Sequence, residues 1–523
     1  MSKLDPEQNN KKGFCMSLAC VYSRARFGLE SPLVTVEVHL ANGLPAFNIV
    51  GLPETSVRES KDRVRSAIIN CGYEFPAKRI TINLAPADLP KEGGRFDLPI
   101  AIGILAASEQ LPAVDLSDYE FAGELSLSGE LRSIIGEIPM AMASCESKRT
   151  LIIPKANAEQ ASWVKQAKIH AIDHLTQLYP HFSRQITLPL VEEKEFACAQ
   201  SVKTALDMAD VIGQPLAKRA LEIAASGAHN LLFVGPPGTG KTMLASRLPG
   251  ILPPMTEKEA LEAASIQSIC HQNIDDSSWL TRPFRAPHHT ASSAALVGGG
   301  SQPQPGEISL AHNGVLFLDE LPEFERKVLD VLREPMESGE VCISRALQKQ
   351  TFPAKFQLIA AMNPSPTGFY NDNRSTPEQV LRYLNRLSGP FLDRIDIQIE
   401  VARLPRGMWA QNEQKSESSE TIRARVALCR DVQIARQGIA NAHLGSAEVR
   451  QYCKLNTQDN EFLELAVEKL GLSTRAHHKI LKIARTLADM EGMENINNSH
   501  ITEALSYRAM DRIIKHLTQQ VSV

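Results

Sequence analysis

Hydrophobic and polar positions follow two different periods in the first part of this chain. Residues 33–50 alternate between the two classes and are rich in Val, Ile and Phe, which predicts strands. Residues 54–71 place Val57, Val64 and Ile68 on one side and charges on the other, which predicts a helix. The same reasoning predicts a strand at 79–84, an apolar helix at about 97–108 and a hairpin at 119–135. We therefore expect a mixed α+β domain.

The pattern changes after about residue 210. Short apolar runs now end in loops that lead into helical segments, which is typical of a nucleotide-binding domain with a parallel sheet. The last hundred residues show helical patterns throughout. The predicted organisation is a polar extension at 1–15, an α+β domain at 16–182, a linker at 183–200, an α/β domain at 201–405, a linker at 406–420 and a helical domain at 421–515.

Composition limits the classes of function. The 523 residues carry a net charge of −4, so any nucleic-acid contact must come from local basic features. The nine cysteines include no C-x-x-C pair, which argues against a disulfide framework or a zinc ribbon and favours a reducing compartment. No apolar run approaches the roughly 20 residues of a membrane span, and the polar N-terminus has no secretory apolar segment. We expect a cytoplasmic protein without membrane contact.

One motif carries the strongest chemical signal. Residues 235–242 fit G-x-x-x-x-G-K-[ST] between an apolar strand at 230–234 and a helical segment. Such a loop wraps backbone N–H groups around phosphate oxygens at a helix N-terminus. Lys241 is expected to reach the β- and γ-phosphates of ATP, and the Thr242 hydroxyl to bind Mg²⁺. The predicted nucleotide-binding residues of the loop are Gly235, Pro236, Pro237, Gly238, Thr239, Gly240, Lys241 and Thr242.

Two later strands end in polar residues. The apolar run at 314–318 leads into Asp319 and Glu320, at the sheet edge where ligands of open α/β sheets bind. Asp319 is predicted to hold Mg²⁺ and Glu320 to orient and polarise the attacking water. The run at 356–362 ends in Asn363, which is predicted to align that water, although an Asn-Pro pair is also a turn signal.

This succession of phosphate loop, acidic strand and Asn strand resembles the AAA+ ATPases. The segment Asp210-Val-Ile-Gly-Gln resembles the box that contacts adenine, which implies roles for Ile212 and Gly213. The segment 386–396 resembles the box that carries an arginine finger, which acts on the neighbouring subunit's nucleotide. Arg394 is the first candidate and Arg386 the alternative. Because an arginine finger completes the site of the neighbouring subunit, it implies that the subunits form a ring.

Arg394 and a further candidate arginine, Arg475, have simpler interpretations as well. Arg394 could be a surface arginine paired with Asp393 or Asp396. The segment 472–481 resembles the sensor 2 helix of an AAA+ lid and gives Arg475 a catalytic role, but a helix-surface arginine is the alternative.

The spacing between the two halves of the predicted site is unusually long. Thr242 and Asp319 lie 77 residues apart, and the excess resembles the helix-2 insertion of magnesium chelatase I subunits and MCM helicases. The segment 340–352 then resembles the hairpin before sensor 1, and both loops point into the pore in such helicases. Arg345 and Lys349 are predicted to bind DNA phosphates; an exposed polar hairpin is the alternative. His288 and His289 lack metal-ligand spacing and are interpreted as packing or turn residues.

The first domain resembles the Lon protease domain, a ribosomal S5 domain 2-like fold. The resemblance rests on residues 83–99 and 123–131. Arg95 and Ile138 stand where Lon-type proteases carry the serine and the lysine of their catalytic dyad. A dyad needs a nucleophile and a base, so we expect no proteolytic activity.

Together these features resemble the ComM/YifB family over about 16–512. The expected fold is an α/β P-loop AAA+ domain with a helical lid, preceded by the α+β Lon-like domain. The resemblance implies a homohexameric, Mg²⁺- and ATP-dependent helicase on single-stranded and branched DNA, which promotes branch migration during natural transformation and recombination. Ser365 and Thr367 replace cysteines that many relatives carry, so no zinc site is expected. The alternatives are a chelatase subunit or other protein remodeller, an active protease, and an ATP-dependent assembly switch.

Overall fold

The computed structural model describes residues 18–194, 206–270, 279–300, 303–345, 348–369, 374–404 and 417–521. These residues form two compact units, one of residues 18–194 with 268–270, the other of residues 206–267 with 279–521. Within the described residues, none of the helices combines the length and apolar character that crossing a membrane requires.

The first unit is built on one mixed sheet. Its strands run in the order β3-β4-β2-β1-β5-β8-β9, with antiparallel pairing of β1 to β2 and of β2 to β4 and parallel pairing elsewhere. A short hairpin joins β6 to β7. The strands are β1 (Leu18–Arg24), β2 (Leu33–Ala41), β3 (Ala46–Val50), β4 (Arg79–Ala85), β5 (Tyr119–Phe121), β6 (Glu124–Leu125), β7 (Leu131–Arg132), β8 (Thr150–Pro154) and β9 (Ile169–Ile172).

Helices cover this sheet and close its core. The apolar α3 packs against β1, β2 and α2, and nearly all of its side chains are buried. The helices are α1 (Thr55–Arg58), α2 (Ser60–Asn70), α3 (Asp97–Ala107), α4 (Glu137–Glu146), α5 (Lys155–Ala161) and α6 (Leu178–Phe182). The expected α+β class is confirmed, with strands and helices close to the predicted positions.

Two details differ from the predictions. The predicted hairpin at 119–135 is confined to β6 and β7, because β5 pairs instead with β1 and β8 in the centre of the sheet. The first part of the segment predicted as a linker at 183–200 is packed against the first unit. Val191 N donates to Ile169 O at 2.8 Å, and His170 bridges to Leu190, so the chain follows β9 there. Residues 195–200 lie outside the described residues.

The second unit contains a parallel five-stranded sheet in the order β11-β14-β17-β10-β18. β10, β14 and β17 are buried on both faces, which fits their uninterrupted apolar sequences. Two hairpins, β12 with β13 and β15 with β16, stand outside it. The strands are β10 (Leu231–Val234), β11 (Phe284–Arg285), β12 (Gly298–Gly299), β13 (Gln304–Pro305), β14 (Val315–Leu318), β15 (Glu340–Arg345), β16 (Gln348–Pro353), β17 (Gln357–Met362) and β18 (Ile397–Glu400).

Helices flank this sheet and then form a helical C-terminal region. Those up to the last strand are α7 (Pro215–Gly227), α8 (Lys241–Ser246), α9 (Leu248–Ile251), α10 (Glu257–Ile269), α11 (Ser293–Val297), α12 (Glu307–Leu310), α13 (Arg326–Val331), α14 (Arg333–Ser338), α15 (Pro377–Leu384) and α16 (Gly389–Leu392). The C-terminal helices are α17 (Ser419–Gln437), α18 (Ser446–Tyr452), α19 (Thr457–Leu470), α20 (Thr474–Met490), α21 (Asn498–Ser506) and α22 (Ala509–Val521).

Capping residues define the ends of the C-terminal helices. Ser418 and Ser473 accept backbone N–H bonds at the starts of α17 and α20, and Asn456 does so for α19. Gly438 and Gly471 end α17 and α19 in the left-handed conformation. Because α20 begins at Thr474, Arg475 lies in its first turn.

Candidate functional site

The phosphate-loop motif forms the connection from β10 to α8. Gly238 and Gly240 have φ values of +76° and +84°, a region that side-chain-bearing residues rarely adopt. Gly235 lies so close to the Val401 carbonyl oxygen that an added Cβ would collide with it. The glycines of the motif therefore allow a tight loop that ends at a helix N-terminus, as phosphate binding requires.

Lys241 lies inside this loop with only 8% of its surface exposed. Its Nζ donates to Gly235 O at 2.7 Å, to Pro236 O at 3.0 Å and to Asn363 Oδ1 at 3.2 Å. Burial lowers the pKa of Lys241, and the negative charges of Asp319 and Glu320 oppose that shift. The ammonium is therefore held beside the side chains predicted to act on the γ-phosphate.

The predicted magnesium ligands meet as well. The Thr242 hydroxyl donates to Asp319 Oδ2 at 2.5 Å, although the two residues come from α8 and from the loop after β14. A hydroxyl and a carboxylate are hard oxygen donors of the kind that Mg²⁺ takes. Asp319 Oδ1 also accepts the backbone N–H of Glu320 at 2.9 Å. These residues fit a magnesium ion shared with a nucleotide phosphate.

Sheet order explains why Asn363 reaches Lys241. β17 lies between β10 and β14, so its carboxyl end lies between the phosphate loop and the acidic pair. Asn363 follows β17 directly. The parallel sheet thus brings Lys241, Asn363 and Asp319 to one edge.

A cavity of about 360 Å³ adjoins the phosphate loop. Ile212 lines it, and Gly213 next to it has a φ of +64°. Sequence reasoning assigned no role to Gln214, although it ends the segment compared with the adenine box, and it missed Arg403 and Leu404. Gln214 Nε2 donates to Ala402 O at 2.8 Å and so joins the two walls. The cavity is lined by Asp210, Ile212, Gln214, Pro237, Gly238, Thr239, Gly240, Met243, Arg403 and Leu404.

The arginines predicted to act in catalysis lie elsewhere. Arg394 and Arg475 both line a second cavity, of about 510 Å³, together with Lys479 and Lys482 from α20. The two cavities share no lining residue. We call the first the nucleotide cavity and the second the arginine cavity.

The two cavities lie at opposite ends of the same strands. Asn230, Phe356 and Asp396, which line the arginine cavity, stand just before β10, β17 and β18. The phosphate loop follows the carboxyl end of β10. A four-residue strand is about 13 Å long, and the phosphate loop lies beyond its carboxyl end. A side chain at the amino end of the strands therefore cannot reach phosphates bound by the loop. Neither arginine therefore faces the triphosphate site of its own subunit.

The two finger candidates differ in their surroundings. Arg394 pairs with Glu337 at 2.7 Å, and its side chain is 15% exposed. Within the described residues it forms no ion pair with Asp393 or Asp396, the partners considered from sequence. Arg386 is 56% exposed and lies 3.4 Å from Glu323, three residues beyond Glu320. Arg386 thus lies on the acidic-strand side of its own subunit, whereas Arg394 lies on the opposite edge.

The hairpin of β12 and β13 and the hairpin of β15 and β16 contact each other. A Cβ on Gly298 would come within 2.8 Å of Ile343 Cδ1, so β12 lies against β15. Lys349 is exposed and pairs in register with Ser344. Arg345 ends β15, and its side chain lies outside the described residues.

The interpretation of His289 needs correction. Its Nδ1 lies 3.3 Å from Glu320 Oε2, so it contacts the predicted water-orienting acid rather than only packing in a turn. His288 fits the turn interpretation, since its Nδ1 lies 2.9 Å from Thr290 Oγ1. The sequence offered no signal for the His289 contact, because 31 residues separate the partners.

In the first unit, Arg95 and Ile138, the two positions compared with a Lon-type dyad on sequence resemblance, are both buried. Arg95 is 6% exposed and donates to Ile135 O at 2.6 Å, and burial lowers its pKa to about 10. Ile138 is fully buried. Neither side chain can serve as a nucleophile or as a general base at this place.

A buried ion pair supports the floor of the arginine cavity. Asp396 accepts Asn230 N–H at 2.9 Å and pairs with Lys479 Nζ at 2.7 Å. Burial alone would raise the pKa of Asp396, but the Lys479 charge and His229 hold it well below its usual range. A depressed pKa stabilises the fold above the unfolded-state pKa of about 4 and loses that effect in stronger acid.

Asp396→Asn is therefore expected to lower the free energy of unfolding by about 3–5 kcal/mol at pH 7, because it leaves Lys479 buried without a counter-charge. Urea unfolding of the full chain at pH 7 and below pH 4 measures this, and the difference between variant and wild type should shrink in acid. Asp393→Asn, three residues away, is the control. Equal effects of the two variants, or a difference unchanged by pH, would contradict the assignment.

Comparison with known proteins agrees with this fold. Family models described as "Magnesium chelatase, subunit ChlI", "Subunit ChlI of Mg-chelatase" and "Magnesium chelatase, subunit ChlI C-terminal" match residues 207–408, 36–157 and 416–508. The chain is 58% identical to competence protein ComM of Haemophilus influenzae over 96% of its own length and 100% of that protein. It is 55% identical to YifB of Salmonella typhimurium over 96% and 99%.

A more distant match covers a little over half of the chain. The magnesium-chelatase 38 kDa subunit of Cereibacter sphaeroides is 24% identical over 57% of this chain and 90% of that protein. Fold and site together define a magnesium chelatase-like AAA+ protein, a class of nucleotide- and Mg²⁺-dependent ATPases. Within that class, the chain belongs to the ComM/YifB family.

Proposed function

We propose that this protein is an ATP-driven DNA motor that works as a ring, a homohexamer by family resemblance, and moves branched DNA during recombination. The observation that carries the ring is the separation of the two cavities. The residues around the phosphate loop lie at the carboxyl edge of the sheet, and Arg394 and Arg475 lie at the amino edge. A complete site needs the carboxyl edge of one subunit and the amino edge of the next.

In this composite site each residue has a defined task. Bound Mg²⁺ would neutralise charge on the phosphate oxygens, with Thr242 and Asp319 as its protein ligands. Lys241 binds the β- and γ-phosphates, Glu320 takes the proton of the attacking water, and Asn363 orients that water.

The adenine side of the nucleotide lies in the nucleotide cavity, against Ile212 and Gly213. Arg394 and Arg475 of the neighbouring subunit stabilise the charge that develops on the γ-phosphate. Glu337 holds Arg394 within the isolated subunit, so ring contact has to draw the guanidinium away from this carboxylate. An isolated subunit that binds ATP would then hydrolyse it slowly.

DNA as the substrate is supported by the hairpins and by the ComM relative. Lys349 is exposed on β16 and supplies positive charge there, and Arg345 is the last residue of the paired strand β15. Phosphate contacts supply most sequence-independent affinity for DNA. The 58% identical relative is named a competence protein, which supports a role in integrating donor DNA in natural transformation.

A labelled Holliday junction tests this proposal. Full-length protein with ATP and Mg²⁺ is expected to convert the junction into duplex products, and branched DNA is expected to stimulate ATP hydrolysis. Lys349→Ala should weaken DNA binding and reduce the slope of log K against log salt concentration by about 1. Lys355→Ala, just after the hairpin, is the matched control. Full hydrolysis without any response to DNA would contradict the motor proposal.

The second candidate is a chelatase-type remodeller of proteins, favoured by the three ChlI matches. It predicts ATP hydrolysis that responds to a protein partner and is insensitive to DNA. The same ATPase assay, run with and without branched DNA, separates the two candidates.

A further inference from the structure

The segment that follows β18 forms one wall of the nucleotide cavity. Val401 N donates to Val234 O at 2.8 Å, which extends the pairing of β18 with β10 past the end of the strand. Gln214 Nε2 donates to Ala402 O at 2.8 Å from the opposite wall. Because these bonds anchor the two residues before it, Arg403 has a fixed backbone position at the cavity.

The loop after β17 holds the side chain of Arg403. The Arg403 Cζ lies 4.4 Å from the centroid of the Phe369 ring, which is a cation–π contact. Phe369 is held in turn by Ser365, a fully buried residue whose Oγ donates to Phe369 O at 2.7 Å. A Cβ on Gly368 would come within 2.7 Å of Pro237 Cδ, so this loop lies directly against the phosphate loop. One face of the guanidinium is therefore covered by an aromatic ring beside the phosphate loop.

The Arg403 guanidinium has no acceptor for its N–H groups in this part of the fold. Within the described residues it forms neither an ion pair nor a hydrogen bond. Asp210 is the one carboxylate among the described residues that line the nucleotide cavity, and it pairs with Arg247 at 3.2 Å instead. Contact with an aromatic face leaves the N–H groups at the edge of a guanidinium free to donate. An unpaired guanidinium at a cavity wall is suited to phosphate oxygens, which it can bind through two parallel hydrogen bonds.

We propose that Arg403 binds the α- and β-phosphates of the nucleotide held by its own subunit, an inference that rests on the ATP site of the proposed function. In that site the γ-phosphate is bound by Lys241 and by Arg394 and Arg475 of the neighbour. Among the described residues that line the nucleotide cavity, Arg403 is the only cation. The α- and β-phosphates are common to ATP and ADP, so Arg403 contributes equally to binding before and after hydrolysis. Loss of the contact should therefore raise KM and leave kcat nearly unchanged.

The test measures binding of a fluorescent ADP analogue to the full-length protein with Mg²⁺, and its displacement by ATP, ADP and inorganic triphosphate. Arg403→Ala is expected to weaken the binding of all three competitors about 10-fold, the size of effect that a charge-assisted hydrogen bond contributes. The kcat at saturating ATP should stay within about two-fold of wild type. Arg403→Lys keeps the charge and should recover part of the affinity. Arg382→Ala is the control, since Arg382 is exposed on α15 and does not line the cavity.

A second variant tests how Arg403 is held. Phe369→Leu removes the aromatic ring and keeps the guanidinium, so it should weaken nucleotide binding about three-fold, as expected for an exposed cation–π contact. Added to Arg403→Ala, the same change should have little further effect, because the two side chains act on the nucleotide through one contact. Additive effects of the two changes would mean that Phe369 does not act through Arg403.

Three results for Arg403→Ala would overturn the phosphate contact. Unchanged binding of every competitor would mean that Arg403 does not touch the nucleotide. Weaker binding of ATP and ADP with unchanged binding of inorganic triphosphate would mean that Arg403 stacks on the base instead. A fall in kcat with unchanged binding would give it a role only in the transition state. These measurements need no DNA, so a wild-type enzyme without any response to branched DNA would refute the motor proposal and leave the Arg403 contact standing.

Discussion

Replacing Arg394 with alanine is expected to lower kcat for ATP hydrolysis about 1,000-fold or more, while nucleotide binding persists. Arginines that reach a neighbour's γ-phosphate contribute effects of this size, because they stabilise charge that develops only in the transition state. Arg394→Lys should recover little, since an ammonium lacks the planar fork of the guanidinium. Steady-state hydrolysis and binding of a fluorescent ATP analogue separate the catalytic loss from a binding loss.

Arg386→Ala is the matched control for this prediction. Arg386 lies on the acidic-strand side of its own subunit and is largely exposed, so we expect its loss to change kcat only a few-fold. The opposite pattern, a large loss for Arg386→Ala and a small one for Arg394→Ala, would transfer the finger to Arg386.

Mixed rings test the composite site directly. A preparation of Arg394→Ala protein mixed with Glu320→Gln protein contains interfaces in which an intact acid meets an intact arginine. With random assembly about one interface in four is complete, so activity should reappear although each variant alone is inactive. No recovery in rings shown to exchange subunits would mean that the arginine acts within its own subunit.

Glu320→Gln is expected to lower the hydrolysis rate about 100-fold or more and to leave ATP bound. The amide has nearly the same shape as the carboxylate but cannot accept a proton from water. Thr242 and Asp319 are unchanged, so Mg²⁺ and nucleotide should still bind, and rings that depend on ATP should persist. Single-turnover hydrolysis and sedimentation with ATP measure the two effects.

Glu323→Gln provides the comparison, since it removes a carboxylate three residues away that is engaged with Arg386. It should retain most of the activity. A Glu320→Gln protein that hydrolyses ATP at the normal rate would refute the assignment of Glu320 as the water-orienting acid.

Local patterns predicted most elements of the fold, but not the arrangement of the sheet. Alternation located β2, β3 and β4, and the apolar run located α3. The strand at Leu18–Arg24 was not predicted, although it forms the centre of the first sheet between β2 and β5. Its buried positions include the polar Ser23 and Arg24, whereas the apolar Leu18 is exposed, so polarity along this strand does not predict which positions face the core.

Some residues of the candidate site were likewise predicted from local sequence, and others were not. Lys241 and Thr242 belong to one contiguous motif, and the glycines of that motif together with the helix that follows it determine the conformation of the loop. Arg403 reaches the nucleotide cavity from the segment after β18, far along the chain from the phosphate loop. Its place depends on the pairing of β18 with β10, which no local pattern contains.

The sequence by itself determined which chemical groups this protein offers: a phosphate loop, an acidic strand end, a following strand that ends in Asn, and a set of arginines. Each of these is recognisable because its residues are contiguous in the chain. Only the tertiary structure decided which of them can act together. Because parallel strands carry all their amino ends to one edge and all their carboxyl ends to the other, Arg394 and Arg475 lie opposite Lys241. The same packing brought His289 to Glu320 from a separate strand.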